Sequence, residues 1–200
     1  MTRLLTRIIL PLLAASLAGT ALSSCGKSGD RPVPKPEGWP RIEMPAAEYS
    51  ADSYGGVELL FNSRATVESR EAKEGGWWID VTYPGISEAK IYLSLVNTSG
   101  PKEMAKALAN RHERMELNTA GASTELTQLT SEGGWECELA VTRNSVTTPV
   151  QLLAHDGKGR ILSGALYLTL PASTAPDSIA PVVSAVGRDL TETLKHLRDR

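Results

Sequence analysis

The sequence predicts an α+β fold in which a mostly antiparallel β-sheet is covered by two amphipathic helices. Two observations predict this class. Short runs rich in β-branched and aromatic residues are separated by glycine and proline, as in a sheet of short strands. Two longer segments carry apolar residues at the 3.6-residue period of a helix. Seven or eight such strands with two covering helices are expected to form one layered α+β domain.

The first element is an N-terminal leader. Arg3 and Arg7 precede an apolar run over residues 8–15 that is too short to span a membrane. The Leu-Ser-Ser-Cys sequence that ends in Cys25 resembles a lipobox, before whose cysteine signal peptidase cuts. We therefore expect a signal peptide over residues 1–24 and acyl chains on Cys25 that anchor the mature protein to a membrane. The alternative is an ordinary secretory leader in which Cys25 has no such role.

Residues 25–36 are predicted to be a lipidated tether, because residues 26–36 hold three prolines, two glycines and little apolar content. Residues 37–200 have a length that suits one hydrophobic core, so we expect a single globular domain there. The formal net charge of the chain is −2, and 22% of its residues are charged. Since nucleic-acid binding needs a basic surface, we expect no nucleic-acid partner.

Four strands are predicted in the first half of the domain. They occupy residues 57–61, 65–69, 77–83 and 89–96, with Gly75-Gly76 and Pro84-Gly85 as punctuation. In the last of these runs Ile91, Leu93 and Leu95 alternate with Tyr92. This is the pattern of a strand that buries one face and turns the other to water or to a second layer.

An amphipathic helix is predicted next, at residues 101–117. Its apolar face is formed by Met104, Ala105, Leu108 and Met115. His112 lies on or beside that face. We expect it to be a partly buried histidine with a hydrogen-bond partner, because no serine, cysteine or metal-ligand spacing accompanies it.

Strands return at residues 135–142, 150–154 and 161–170. Between the last two, a glycine-rich segment that begins with His155 and Asp156 predicts a hairpin turn, and we expect these two side chains to be solvated rather than to form an acid/base pair. The final element is a long helix capped by Asp177 or Ser178. Its apolar face is formed by Ile179, Val182, Val183, Val186, Leu190, Leu194 and Leu197.

No catalytic motif accompanies these elements. The sequence contains no G-x-S-x-G, P-loop, H-E-x-x-H, C-x-x-C or dinucleotide-binding pattern. Cys137 lies in a strand-like run, which favours a small buried residue over a nucleophile. The three histidines lie on separate elements, which does not favour a metal site. We expect a protein that is not an enzyme and that has neither a metal nor another cofactor.

Several segments in succession resemble those of one known family. They are Cys25 with its lipobox and residues 34–42, 77–84, 89–94, 163–167, 177–182 and 189–190. In this succession the chain resembles GldD, the gliding-motility lipoprotein family of the Bacteroidota, although Ser163 stands where an arginine is typical. The resemblance implies an accessory lipoprotein of the gliding and type IX secretion machinery, without known catalytic chemistry. By analogy of element order, an α/β/α sandwich of the Mog1/PsbP-like type is an alternative description of the fold.

Three functional hypotheses remain. The favoured one is an accessory or assembly component, held by its lipid to the cell envelope, most readily the outer membrane facing the periplasm, that binds other envelope proteins. The second is a lipid- or small-ligand-binding periplasmic module, which a large apolar cavity would support. The third is an uncharacterised hydrolase, which would need a polar cleft that holds His112 or His155 beside Asp and Ser.

The favoured hypothesis directs attention to large aromatic and arginine side chains, because these dominate interface energetics. The candidate partner-binding residues are Trp39, Arg41, Trp77, Trp78 and Tyr83. Packing in the core is the alternative for the tryptophans, since aromatic residues make up only 5% of the chain.

Overall fold

A computed structural model describes residues 48–84, 86–119, 121–145, 147–170 and 176–200, with the side chains of all of these except 87, 88 and 176. The predicted signal peptide and the tether lie outside the described residues. So do three residues for which the sequence predicts a role, Cys25, Trp39 and Arg41.

Ten strands and two α-helices make up the described part of the chain. The strands are β1 Tyr49–Tyr54, β2 Val57–Asn62, β3 Thr66–Glu71, β4 Trp77–Tyr83, β5 Ile86–Asn97, β6 Thr124–Thr130, β7 Glu136–Thr142, β8 Val150–His155, β9 Arg160–Leu168 and β10 Arg198–Asp199. The helices are α1 Pro101–Thr119 and α2 Pro176–Lys195, and a short 3₁₀ turn covers Lys73–Gly75.

The strands form two sheets in which every pairing is antiparallel. The larger sheet has the strand order β3-β4-β5-β9-β8-β7-β6, and the smaller has the order β1-β2-β10. The prediction of an α+β fold with an antiparallel sheet and two helices is therefore confirmed.

Three strands were not predicted. In β1 the side chains between the two tyrosines are small or polar and mostly exposed, and β10 is only two residues long. β6 has the sequence TELTQLT, and Leu129 is the one side chain in it that is even partly buried. Because these three strands bury so little, they lack the two-residue alternation by which a half-buried strand is identified.

One row of the large sheet defines its core face. Ile79, Leu93, Gly164, Leu152 and Leu139 lie side by side on β4, β5, β9, β8 and β7. The four larger side chains of this row are at most 4% exposed. Successive residues of a strand point to opposite faces, so the neighbours of these residues define the opposite side, which we call the outer face.

The core face is covered by α2 and the small sheet. The predicted apolar face of α2 is buried at Ile179, Val182, Val186, Leu190 and Leu194. Cys137, on the core face of β7, is 2% exposed, and its thiol lies 3.9 Å from the Leu194 carbonyl oxygen. The prediction that this cysteine is a small core residue is confirmed.

The helix prediction was too long at its C-terminus. The α-helix ends at Lys195, although Leu197 is fully buried as predicted. The last bonds tighten to a shorter turn, in which the Leu197 amide donates to the Leu194 carbonyl. The chain then continues into β10, which pairs with β2.

A buried carboxylate ties α2 to both sheets. Asp189 is 8% exposed and accepts one hydrogen bond from the Tyr49 hydroxyl at 3.0 Å and one from the Tyr83 hydroxyl at 2.9 Å. Tyr49 begins β1 and Tyr83 ends β4. Since a buried carboxylate without donors would be costly, these two tyrosines stabilise the placement of the helix.

α1 lies on the outer face, opposite α2. The Arg111 guanidinium bonds Ser163, and the Met115 carbonyl accepts from Gln151, both of which project from the outer face. The layers are therefore helix, sheet, and helix with a small sheet. This order agrees with a sandwich architecture, and the likeness to Mog1/PsbP-like proteins stays a prediction.

The prediction for α1 was wrong in detail. Ala105 and His112 are exposed, and the side of α1 that faces the sheet runs through Met104, Leu108, Arg111 and Met115. Ala105 and His112 each follow a residue on that line and are rotated by about 100° around the helix. No side chain of α1 is fully buried.

The hairpin turn at residues 155–160 is confirmed, but its side chains are not solvated as predicted. The Asp156 side chain is 4% exposed, because it accepts hydrogen bonds from the amides of residues 158–160 and pairs with the Arg160 guanidinium at 2.7 Å. Burial by itself raises the pKa of Asp156. These hydrogen bonds outweigh that effect and lower the pKa to about 2. The His155 side chain is 21% exposed.

Gly164 offers a test of the core row. A Cβ placed there would lie 2.6 Å from the Tyr92 carbonyl oxygen and would also overlap the Leu93 side chain. We expect Gly164→Ala to lower the free energy of unfolding by about 1–3 kcal/mol.

Gly187 is the control, because a Cβ there meets no atom within 4 Å and the residue lies inside α2. Gly187→Ala should raise stability by about 0.5–1 kcal/mol, as measured by urea unfolding. Equal effects of the two changes would contradict this packing.

The tyrosines around Asp189 predict a decline of stability at alkaline pH. Burial, with the hydrogen bond to Asp189, raises the pKa of Tyr49 to about 12, and burial raises that of Tyr83 as well. An unfolded tyrosine titrates near pH ~10, so above that pH the folded state holds more protons and the free energy of unfolding falls as pH rises.

The variant Tyr83→Phe removes one of the two hydroxyl groups that titrate in this pH range. Its stability should decline less steeply above pH ~10, by up to about 1.4 kcal/mol per pH unit, in unfolding curves recorded from pH 8 upward. An unchanged slope would contradict a contribution from Tyr83.

Candidate functional site

The structure separates the predicted partner-binding residues. Trp77 is on the core face and partly buried, with its ring 5.6 Å from that of Tyr54. Tyr83 is 5% exposed, and its hydroxyl is bonded to Asp189. Trp78 is on the outer face and 45% exposed. Among the candidates that the structure describes, Trp78 is therefore the one with a ring available at the surface.

Two further aromatic side chains accompany Trp78 on the outer face. Tyr92 on β5 and Tyr167 on β9 are each 41% exposed. Their rings contact edge to face, with centroids 5.4 Å apart. The strand register places Trp78 diagonally next to Tyr92, and Tyr92 diagonally next to Tyr167. We call these three residues the aromatic strip.

One edge of the strip carries a charge pair. The Lys90 ammonium lies 5.4 Å from the centre of the Tyr92 ring and 3.8 Å from the Asp80 carboxylate. A cation over an aromatic face is favourable, and the nearby carboxylate offsets its charge. The strip is therefore apolar at its centre and polar at this rim.

A groove of about 370 Å³ runs between the aromatic strip and α1. Its sheet side includes the strip together with Ser94 and Ser163, and its helix side includes Asn110, Arg111 and Arg114. Aromatic side chains therefore face polar and positively charged ones across an open space. Such a combination suits a ligand or peptide that has both an apolar and a polar part.

Two arginines give the groove a positive wall. The Arg111 Nε donates to the Ser163 hydroxyl at 3.0 Å, at the position where the family resemblance leads one to expect an arginine. Burial, with Arg114 as the second cause, lowers the pKa of Arg111. Within the described residues neither arginine forms an ion pair. Their charge is thus directed toward whatever enters the groove.

Amide groups fasten α1 beside the groove. Gln151 is 2% exposed; it donates to the Met115 carbonyl at 3.3 Å and accepts from the Asn118 amide at 2.9 Å. These polar contacts help to hold the helix to the sheet, because none of its side chains is fully buried. A helix attached in this way leaves part of the sheet beside it uncovered.

A second groove, of about 340 Å³, includes His112 of α1 and His155 of β8 in its lining. His112 Nε2 lies 2.9 Å from Glu138, and His155 Nε2 lies 3.4 Å from Glu136. Serine and aspartate are absent from the described residues that line it. Across the described ranges no group of three or more His, Cys, Asp or Glu side chains is arranged to hold a metal ion.

Cys137 also lines this groove, but its thiol points to the core face and is unsuited to nucleophilic attack. Burial raises the pKa of Cys137 to about 11, so the thiol stays protonated at neutral pH. The paired histidines therefore have neither a thiolate nor a serine beside them in the described part of the chain. The contact of His112 with Glu138 joins α1 to the sheet, and nothing in this arrangement of described residues supports acyl transfer.

Of the residues that line the first groove, sequence reasoning had proposed only Trp78 for partner binding. Alternation along β5 did place Tyr92 away from the core, but nothing in the sequence joined it to Tyr167 on β9. Arg111 lies on the line of α1 that faces the sheet, between Leu108 and Met115. A charged residue at an apolar position of a helix was the available signal, and Arg114 follows one turn later.

The comparisons with known proteins agree with the resemblance. A family model described as gliding motility lipoprotein GldD matches residues 29–198, whereas a search of curated proteins returned no match. In the part of the chain that the structure describes, neither helix has the length and apolar character needed to cross a membrane. Because the family model covers most of the chain, the protein belongs to the GldD family of gliding-motility lipoproteins.

Proposed function

We propose that the protein is an envelope-anchored lipoprotein that acts as an accessory or assembly component of the gliding-motility and type IX secretion machinery. Its membership of the GldD family makes it a motility-related lipoprotein associated with the envelope. That family is not a known enzyme family. The proposal adds that it binds other envelope proteins through the outer face of its large sheet.

The observation that carries this proposal is the aromatic strip. Trp78, Tyr92 and Tyr167 expose 41–45% of their surface on three adjacent strands. Tryptophan and tyrosine are the residues most enriched in binding hot spots. Strands also hold these rings in place before binding, so little conformational entropy is lost when a partner covers them.

The groove beside the strip adds specificity. Arg111 and Arg114 offer charge, and Asn110 offers an amide, within reach of the same partner. Polar groups around an apolar centre are the usual anatomy of a protein interface. The opposite face of the sheet is already occupied by α2, so the outer face is where this fold leaves room.

The anchor belongs to the proposal as well. Cys25 would carry acyl chains such as palmitate and hold the protein to the outer membrane, with the domain facing the periplasm. Two or more acyl chains are needed for stable anchoring, since each buried CH₂ contributes about 0.8 kcal/mol. Trp39 and Arg41 stay candidate partner-binding residues between this anchor and the described domain.

A second candidate function is favoured by the same groove. A lipid- or small-ligand-binding module would use its volume of about 370 Å³, which is near the lower end for small-molecule sites. The groove is open to solvent and its helix side carries Asn110, Arg111 and Arg114, which suits a partner surface better than a buried lipid. The hydrolase hypothesis gains no support, because the described residues do not bring His112 or His155 beside Asp and Ser.

The proposal is tested by purifying the lipidated protein from its native envelope and identifying by mass spectrometry what co-purifies. We expect motility or secretion proteins with the wild type and none with Cys25→Ala. In Trp78→Ala/Tyr92→Ala the affinity should fall about 30-fold or more, since a hot spot contributes about 2 kcal/mol. Leu117→Ala is the matched control, because Leu117 is a 72% exposed apolar residue of α1 outside the strip and groove.

Two results would contradict the proposal. If the double variant retained the same partners as the wild type, the docking surface would lie elsewhere. If the purified protein carried only a lipid or a small molecule and no other protein, the ligand-binding function would replace the assembly function.

A further inference from the structure

One edge of the large sheet is open to another strand. β6 pairs only with β7, and six of its seven residues are exposed. The register of β6 and β7 runs without a bulge from Thr124 to Thr130. β6 is therefore a regular strand of full length with one side uncovered.

The backbone of β6 presents free hydrogen-bonding groups on that side. Two bonds fix the phase of the ladder with β7: the Arg143 amide donates to the Ser123 carbonyl, and the Ser131 amide donates to the Trp135 carbonyl, both at 2.9 Å. Odd-numbered residues thus face β7, because antiparallel bonding alternates along a strand. The residues whose amide and carbonyl groups point outward are Thr124, Leu126, Gln128 and Thr130.

β6 lacks the features with which proteins usually protect an edge. It contains no lysine, no proline and no bulge, and Glu125 is its one charged residue. The opposite edge of the sheet differs, because β3 carries Glu68, Arg70 and Glu71 within six residues. Strand addition is therefore expected at β6 and not at β3.

We propose that β6 pairs antiparallel with β6 of a second copy of this chain, with Thr127 opposite Thr127. In this register all seven residues of each strand are paired. Thr124 lies opposite Thr130, and such threonine pairs form favourable cross-strand contacts. Glu125 lies opposite Leu129, so no like charges meet.

The pairing closes on itself. The same strand is used by both copies, which gives a two-fold dimer, and the charged β3 edge does not extend it into a filament. One strand pair buries less surface than a stable soluble dimer needs, so the contact should form at the concentration of the native envelope rather than in dilute solution.

The inference does not depend on the proposed function, because β6 lies outside the aromatic strip.

Cysteine crosslinking in the native envelope tests the pairing. Thr127 would be a non-hydrogen-bonded pair across the two-fold axis, with Cα atoms about 4.5 Å apart, a distance that a disulfide spans. On mild oxidation, Thr127→Cys should give a dimer of twice the monomer mass that reductant separates. The wild type gives the background, since Cys137 is buried. Glu68→Cys on β3 is the matched edge control and should stay monomeric.

A second variant separates loss of pairing from loss of folding. Gln128→Pro removes an outward amide and no backbone bond to β7. The one side-chain bond that it removes, from Gln128 to Glu138, is exposed, so the chain should still fold. Combined with Thr127→Cys, it should reduce the crosslinked fraction at least tenfold, with an unchanged circular dichroism spectrum of the purified protein.

Three outcomes would overturn the inference. Thr127→Cys could remain monomeric although folded, or Glu68→Cys could crosslink equally well. Thr127→Cys could also join a different protein, which would show that β6 receives a strand from another partner.

Discussion

Side chains alternate between the two faces of the seven-stranded sheet, and the two faces are covered by other elements to different extents. The core face meets α2, whose apolar residues from Ile179 to Leu194 are buried against it. The outer face meets α1, in which no side chain is fully buried. Burial of the core face supplies most of the hydrophobic stabilisation. The outer face can therefore leave aromatic rings uncovered without loss of the fold, and this makes it the surface available for function.

Polar contacts position the two helices in different ways. On the core side, Asp189 is enclosed and satisfied by Tyr49 and Tyr83, so it fixes α2 in one orientation. On the outer side, Gln151 and Ser163 hold α1 at a few points along its length. Buried and satisfied polar groups specify geometry. A few such contacts spaced along a helix leave room between the elements that they join. The groove between α1 and the aromatic strip is that space.

Apart from β3 and α1, the elements that the sequence predicted bury an apolar face, and the strands that it missed bury little. Alternation in β5 and the helical period of α2 were clear because packing selects them, whereas β1 and β6 are exposed and carry no such pattern. Adjacent tryptophans must point to opposite faces of a strand. Alternation along β4 groups Trp78 with the polar Asp80 and Thr82, a signal that the sequence prediction did not use and that the sheet register bears out. The groove joins β4, β5, β9 and α1, and no local pattern in a sequence reports a proximity between distant elements. Family membership, by contrast, followed from short segments spread over the chain.

The central claim is that the outer face docks another envelope protein, and photocrosslinking in living cells tests it most directly. A photoreactive amino acid would replace Tyr92 in the aromatic strip and, in a second strain, Arg188 on the exposed side of α2. The account predicts a covalent adduct with another envelope protein from position 92 and none from position 188. Adducts from position 188 alone, or from neither position, would contradict it.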